Sequence, residues 1–196
     1  MNNMPMMDSA TTALMSGAMM VAMMLPSVAP TLWRHHRHLR ALGAPRAGLW
    51  TMLVAVGYAS VWCAIGVALS ALPPLRVPPW TAGALVLSAG ALQRSRWKAK
   101  RLLRCRMVCM VPGAISNGVV AAWRAGCRLG VDCSLSCAAP MAVLLVAGFM
   151  DARAMLVTTA AITAERVAPG GARIARLTGG LTVVGGLLMC ARGIRL

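Results

Sequence analysis

LWTMLVAVGYASVWCAIGVALSAL, residues 49–72, runs without a single charged side chain up to the Pro73–Pro74 break. An α-helix needs ~20 mostly apolar residues to cross the ~30 Å hydrocarbon core of a bilayer. This stretch is long enough by itself. The rest of the chain has the same character. It is 59% hydrophobic and 12% charged, the latter about half of the ~25% usual in soluble domains. Further apolar segments occupy 11–33, with Pro26 and Pro30 inside it, 80–97, whose apolar part ends at Gln93, then 130–150, 153–168 and 174–192. The third and fifth are short for a span. Gly179–Gly180 and Gly185–Gly186 supply the small residues that let membrane helices approach closely. The expectation is one integral membrane domain over 1–196: an all-α polytopic helix bundle of about six transmembrane helices.

The formal net charge of +16 does not point to nucleic acid. Single-strand binders interleave cations with stacking aromatics, and here Tyr58 and Phe149 are the sole residues of their types. The cations fall between apolar runs, as cytoplasmic loops require. Arg34, Arg37, Arg40 and Arg46 follow the first segment, a long basic run from Arg94 to Arg128 follows the third, and Arg166, Arg173 and Arg176 follow the fifth. Only Arg76, Arg153, Arg192 and Arg195 lie on the other side. With six spans this bias predicts a multi-pass protein of the bacterial inner membrane with both termini outside. The start, Met1 to Asp8, lacks a basic n-region, so the first segment is expected to be a retained helix. Nothing in the sequence forms a nucleophile–base pair, a phosphate loop or a carboxylate dyad, and no enzymatic activity is expected.

Soft-metal chemistry is the strongest chemical signal. Cys105/Cys109 and Cys133/Cys137 repeat one spacing. Residues four apart on a helix share a face, with Cβ atoms ~5–6 Å apart. Two thiolates so placed bracket one Cu(I), or supply half of a tetrahedral zinc site. The alternative is that Cys simply packs as a small apolar residue. The cations around Cys105 and Cys109 favour thiolate. That fits a metal pair or a redox pair, although the Cys-x-x-Cys spacing of thioredoxin-like sites is absent. Methionines repeat four apart in the first segment, in Met15/Met19, Met19/Met23 and Met20/Met24. A thioether ladder of this kind resembles the methionine spacing of copper-uptake channels, and its alternative is Met as a flexible gap-filler. His35, His36 and His38 read as an interfacial basic loop. Glu165, near a membrane end, is either functional or paired with a neighbouring Arg. Asp132 stands four residues after Arg128, so an ion pair along the helix is its default.

At these residues the chain resembles a bacterial family of metal-binding integral membrane proteins. Its named type is a membrane copper chaperone for a polyphenol oxidase (tyrosinase). The matching blocks are Ala18–Ser27 with Pro30; Gln93, Lys98, Cys105, Cys109 and Pro112; Gly130, Cys133, Cys137, Met141, Gly148 and Met150; and Glu165–Arg166. The family usually has Cys-Cys-Trp where this chain reads Ser136-Cys137-Ala138, and Asn at Asp151. The resemblance implies a metallochaperone that binds Cu(I) and loads a copper enzyme. Cys105, Cys109, Cys133 and Cys137 are the expected ligands, with Met19, Met20, Met23 and Met24 as weaker, exchanging ones. Zinc is the other metal these thiolates suit. Two alternatives remain: a soft-metal transporter using the same residues, and a structural membrane subunit without metal.

Overall fold

The computed structural model describes residues 9–71, 78–107, 118–147, 152–168 and 170–193. Among these every regular element is an α-helix: α1 (Ser9–Ala41), α2 (Ala47–Ser70), α3 (Pro79–Gln93), α4 (Arg96–Met107), α5 (Gly118–Ala147), α6 (Ala152–Val167) and α7 (Gly171–Gly193). Met1, Met4, Met6, Met7, Cys109, Pro112, Phe149, Met150 and Asp151 lie outside the described residues.

Local chemistry sets the helix limits. Helix α1 ends in a Schellman motif. Gly43 takes φ 67°, Ala44 N–H bonds the Leu39 carbonyl at 3.1 Å, and Gly43 N–H bonds that of Arg40 at 3.0 Å. Glycine adopts this left-handed conformation without a Cβ clash. Helix α3 starts at Pro79, whose fixed φ suits a first turn. The third apolar segment does not continue unbroken to residue 97. The chain turns at Arg94–Ser95, and the Ser95 hydroxyl accepts the Lys98 N–H at 3.3 Å, capping a new helix, α4. The fourth segment begins at Gly118 rather than 130. Residues 118–129 extend it as helix, with Arg124 and Arg128 on its exposed side. Cys133 and Cys137 therefore sit in the middle of α5 instead of at its end.

Among the described residues, four helices are long and apolar enough to cross a membrane: Thr11–Ala41, Ala47–Ser70, Gly118–Val146 and Gly171–Ala191. Helices α3 and α6 have 15 and 16 residues, or ~22–24 Å at 1.5 Å per residue. That is less than the ~30 Å core, so among the described residues length and composition mark four spans where the sequence suggests about six.

Glycine decides how the helices pair. Helix α2 lies between α1 and α5, and α3 runs along α7. A Cβ on Gly66 of α2 would stand 2.7 Å from the Ser16 carbonyl oxygen of α1. On Gly126 of α5 it would overlap the Val54 carbonyl oxygen of α2. Such backbone approach is how helices associate when the surroundings are as apolar as their own side chains. One core cluster results. It joins Met20, Met23, Met24 and Val28 of α1, Val54, Tyr58 and Trp62 of α2, Leu129, Cys133, Cys137 and Leu144 of α5, and Ile162 of α6. Large apolar side chains also face outward: Leu181 is 75% exposed and Leu156 71%.

Gly126→Ala should destabilise the protein. The gain of up to ~1 kcal/mol in helix propensity is outweighed by overpacking that costs about 1–3 kcal/mol. Gly185 has nothing within 4 Å of its Cβ position, so Gly185→Ala should be neutral or stabilising. Thermal unfolding of the two variants in detergent checks the sign of each.

Candidate metal centre

Cys133 and Cys137 share the buried face of α5, at 0% and 3% exposure. Pro140 follows one turn later and has no N–H to give the Ser136 carbonyl four residues back. Between the cysteines, the Ser136 hydroxyl donates to the Cys133 carbonyl at 2.8 Å and lies 3.8 Å from the Cys137 sulfur. Across the helix interface, the Tyr58 hydroxyl is 3.2 Å from the Cys133 sulfur. A buried phenol must find a polar partner, and the Cys133 sulfur supplies it. The only tyrosine of the chain thus joins α2 and α5 at the thiol pair.

Cations stand beside these thiols. Arg166 of α6 donates from Nη2 to the Ser136 hydroxyl at 3.2 Å, and its charge acts on both sulfurs. Lys98 of α4 acts electrostatically on Cys137. Lys98 is itself held by Glu165 of α6 at 2.6 Å, with both side chains almost fully buried. The same carboxylate accepts from the Thr178 hydroxyl of α7 at 2.7 Å and from the Gln93 amide of α3. Burial pushes the Lys98 ammonium below its usual pKa, and the Glu165 carboxylate opposes that shift.

Thioethers reach the same core. Met20, Met23 and Met24 are buried in the cluster that contains both cysteines, and Met141 and Met155 pack against it. Met141 is one further turn along α5, so Cys133, Cys137 and Met141 form a ladder four residues apart. Met19 is half-buried and outside the cluster, and Met15 is 59% exposed. The spacing of the α1 methionines is therefore split between two faces. Cys105 lies on α4. Cys63 and Cys190 stand at tight helix crossings, beside Gly17 and Gly83, and Cys127 is 3.9 Å from the Ser60 hydroxyl. His35 is buried, His36 is 3.5 Å from the Thr51 hydroxyl, and His38 is exposed, so the histidines do not converge. Among the described residues no three His, Cys, Asp or Glu side chains come together as a metal site. The soft donors in this one buried cluster are two thiols and several thioethers, ligand types that suit Cu(I).

Sequence reasoning placed the thiol pair on one face but missed Tyr58, Thr178 and the position of Arg166. A lone tyrosine in an apolar helix was the available signal for the first. Nothing local marks the other two, whose roles come from helix packing.

Residues 13–189 match the family model PpoB2, described as a copper chaperone. No curated protein and no solved structure matches the chain. The matched segment holds all four paired cysteines, Met19 to Met24 and Glu165.

Removing one partner of a buried ion pair leaves an uncompensated charge and costs about 3–5 kcal/mol. Lys98→Met should therefore sharply lower the unfolding midpoint in detergent. Adding Glu165→Gln should recover part of the loss, so the double variant unfolds above Lys98→Met. Thermal melts of the two variants give the order directly.

Proposed function

This chain belongs to the copper chaperone family, and we propose that it carries Cu(I) within a membrane-embedded helix bundle and passes it to a copper enzyme of the polyphenol oxidase (tyrosinase) type. The observation that supports this most is the single buried cluster that holds Cys133 and Cys137 together with Met20, Met23 and Met24. The long apolar helices and outward-facing leucines fit a lipid bilayer. The distribution of Arg and Lys supports insertion in the bacterial inner membrane with both termini outside. The short helices α3 and α6 complete the six-helix bundle against longer neighbours.

In this reading Cys133 and Cys137 hold the metal as thiolates, with Arg166 and Lys98 offsetting their charge in a medium of low dielectric. Cys105 and Cys109 extend the thiol set from the basic segment that follows α3. Met20, Met23 and Met24 are neutral, weaker donors that accept Cu(I) first, and Met19 delivers to them from the half-buried side of α1. Metal then moves from thioether to thiolate because thiolate binds it more tightly. Delivery needs a recipient with still better ligands, or a change in thiol protonation. The function is carriage of the metal and involves no chemical turnover.

Protein purified without oxygen should bind about one Cu(I) per chain, in preference to zinc, whose structural sites need four ligands. Cys133→Ser with Cys137→Ser should remove most of it. If copper content survives that change, the site is elsewhere, and Cys105→Ser with Cys109→Ser tests the other pair. Met19, Met20, Met23 and Met24 changed together to Leu should slow copper loading and leave final occupancy unchanged. Loading at the wild-type rate would assign those methionines to packing alone.

A further inference from the structure

A second site lies where α3 breaks and α4 begins. A cavity of about 330 Å³ opens between that turn and the first turns of α7. Arg94, Arg96 and Arg176 line it together with Ser95, over a floor that includes Leu102 and Ala175. The three arginines come from three segments. Arg94 is laid against α7, with Nη1 3.6 Å from where a Cβ on Gly180 would stand. Arg176, one helical turn before Gly180, donates from Nε to the Ala172 carbonyl at 3.3 Å, leaving its terminal nitrogens for another partner. All three are exposed, and none forms an ion pair with a carboxylate among the described residues. Like charges gathered around one cavity repel each other and draw in a counter-anion.

We infer that this cavity binds the phosphate headgroup of an anionic phospholipid. Guanidinium groups match phosphate oxygens with paired N–H donors. The arginines alone would also take free phosphate, but the floor favours a lipid. Leu102 and Ala175 line the cavity, and Leu92 and Leu177, next in sequence to the lining residues Gln93 and Arg176, are 40% and 69% exposed. An amphiphile sets its phosphate against the cationic rim and its acyl chains against these leucines. A free ion leaves that apolar surface in water. Basic pockets between membrane helices on the side facing the cytoplasm suit such headgroups. The inference rests on the membrane reading above and is independent of copper.

The test uses the full chain extracted from membranes and reconstituted in phosphatidylcholine with a minor fraction of phosphatidylglycerol. Native mass spectrometry then counts the retained acidic lipid. Arg94→Gln, Arg96→Gln and Arg176→Gln together should lower retention at least about tenfold. Arg34→Gln, Arg37→Gln and Arg40→Gln, which remove the same charge from α1, should leave it unchanged. Should the first triple variant fail to fold, Arg96→Gln and Arg176→Gln singly should each lower retention. Equal loss in both triple variants, wild-type retention in the pocket variants, or displacement of the lipid by excess inorganic phosphate would overturn the inference. Recovery of the chain in the soluble fraction would instead overturn the membrane reading, and this inference with it.

Discussion

Glu165 is an acidic side chain buried in an interior where an isolated charge is very costly. Everything around it answers that cost. Lys98 supplies the opposite charge, and Thr178 and Gln93 supply hydrogen bonds to the carboxylate. These partners come from α4, α7 and α3, so one carboxylate on α6 fixes the relative placement of four helices. A pair of this kind adds little net stability compared with apolar residues of equal size. What it enforces is a single arrangement, because any other packing strands the charge.

The thiol pair is tied to that arrangement through the next residue. Successive residues on a helix point ~100° apart, since a turn takes 3.6 residues. Glu165 therefore turns toward α3, α4 and α7 while Arg166 turns toward α5, where it reaches Ser136 between the two cysteines. Lys98 serves both sides, as the partner of Glu165 and as a charge felt by Cys137. From the opposite side, Tyr58 of α2 lies against Cys133. The polar contacts at the thiols reach α2 through Tyr58 and α6 through Arg166.

Backbone proximity makes these short connections possible. Glycines at the α1–α2 and α2–α5 crossings let the backbones come close enough for Tyr58 to lie against Cys133. The same device brings α3 onto α7, where it carries Arg94 beside Gly180. The buried methionines fill what remains, as unbranched side chains that suit irregular space.

Residues 49–72 and their neighbours are enough to state an all-helical, membrane-type chain, because the absence of charge over a long run leaves few other folds. The spacing of Cys133 and Cys137 is enough to put both on one face, because helix geometry is local. The sequence could not say which of the α1 methionines face inward. Met19 and Met20 differ by one residue and by about 100° of rotation, and only the position of α2 and α5 decides that Met20 is buried. Nor could it say that the third segment breaks at Ser95 or that the fourth begins at Gly118, since cap and continuation compete within a few tenths of a kcal/mol to ~2 kcal/mol. Glu165 looked equally able to pair with a neighbouring Arg. Its ion pair with Lys98 is a matter of tertiary structure, because the two residues meet only when separate helices pack, and no local rule connects positions so far apart in the chain.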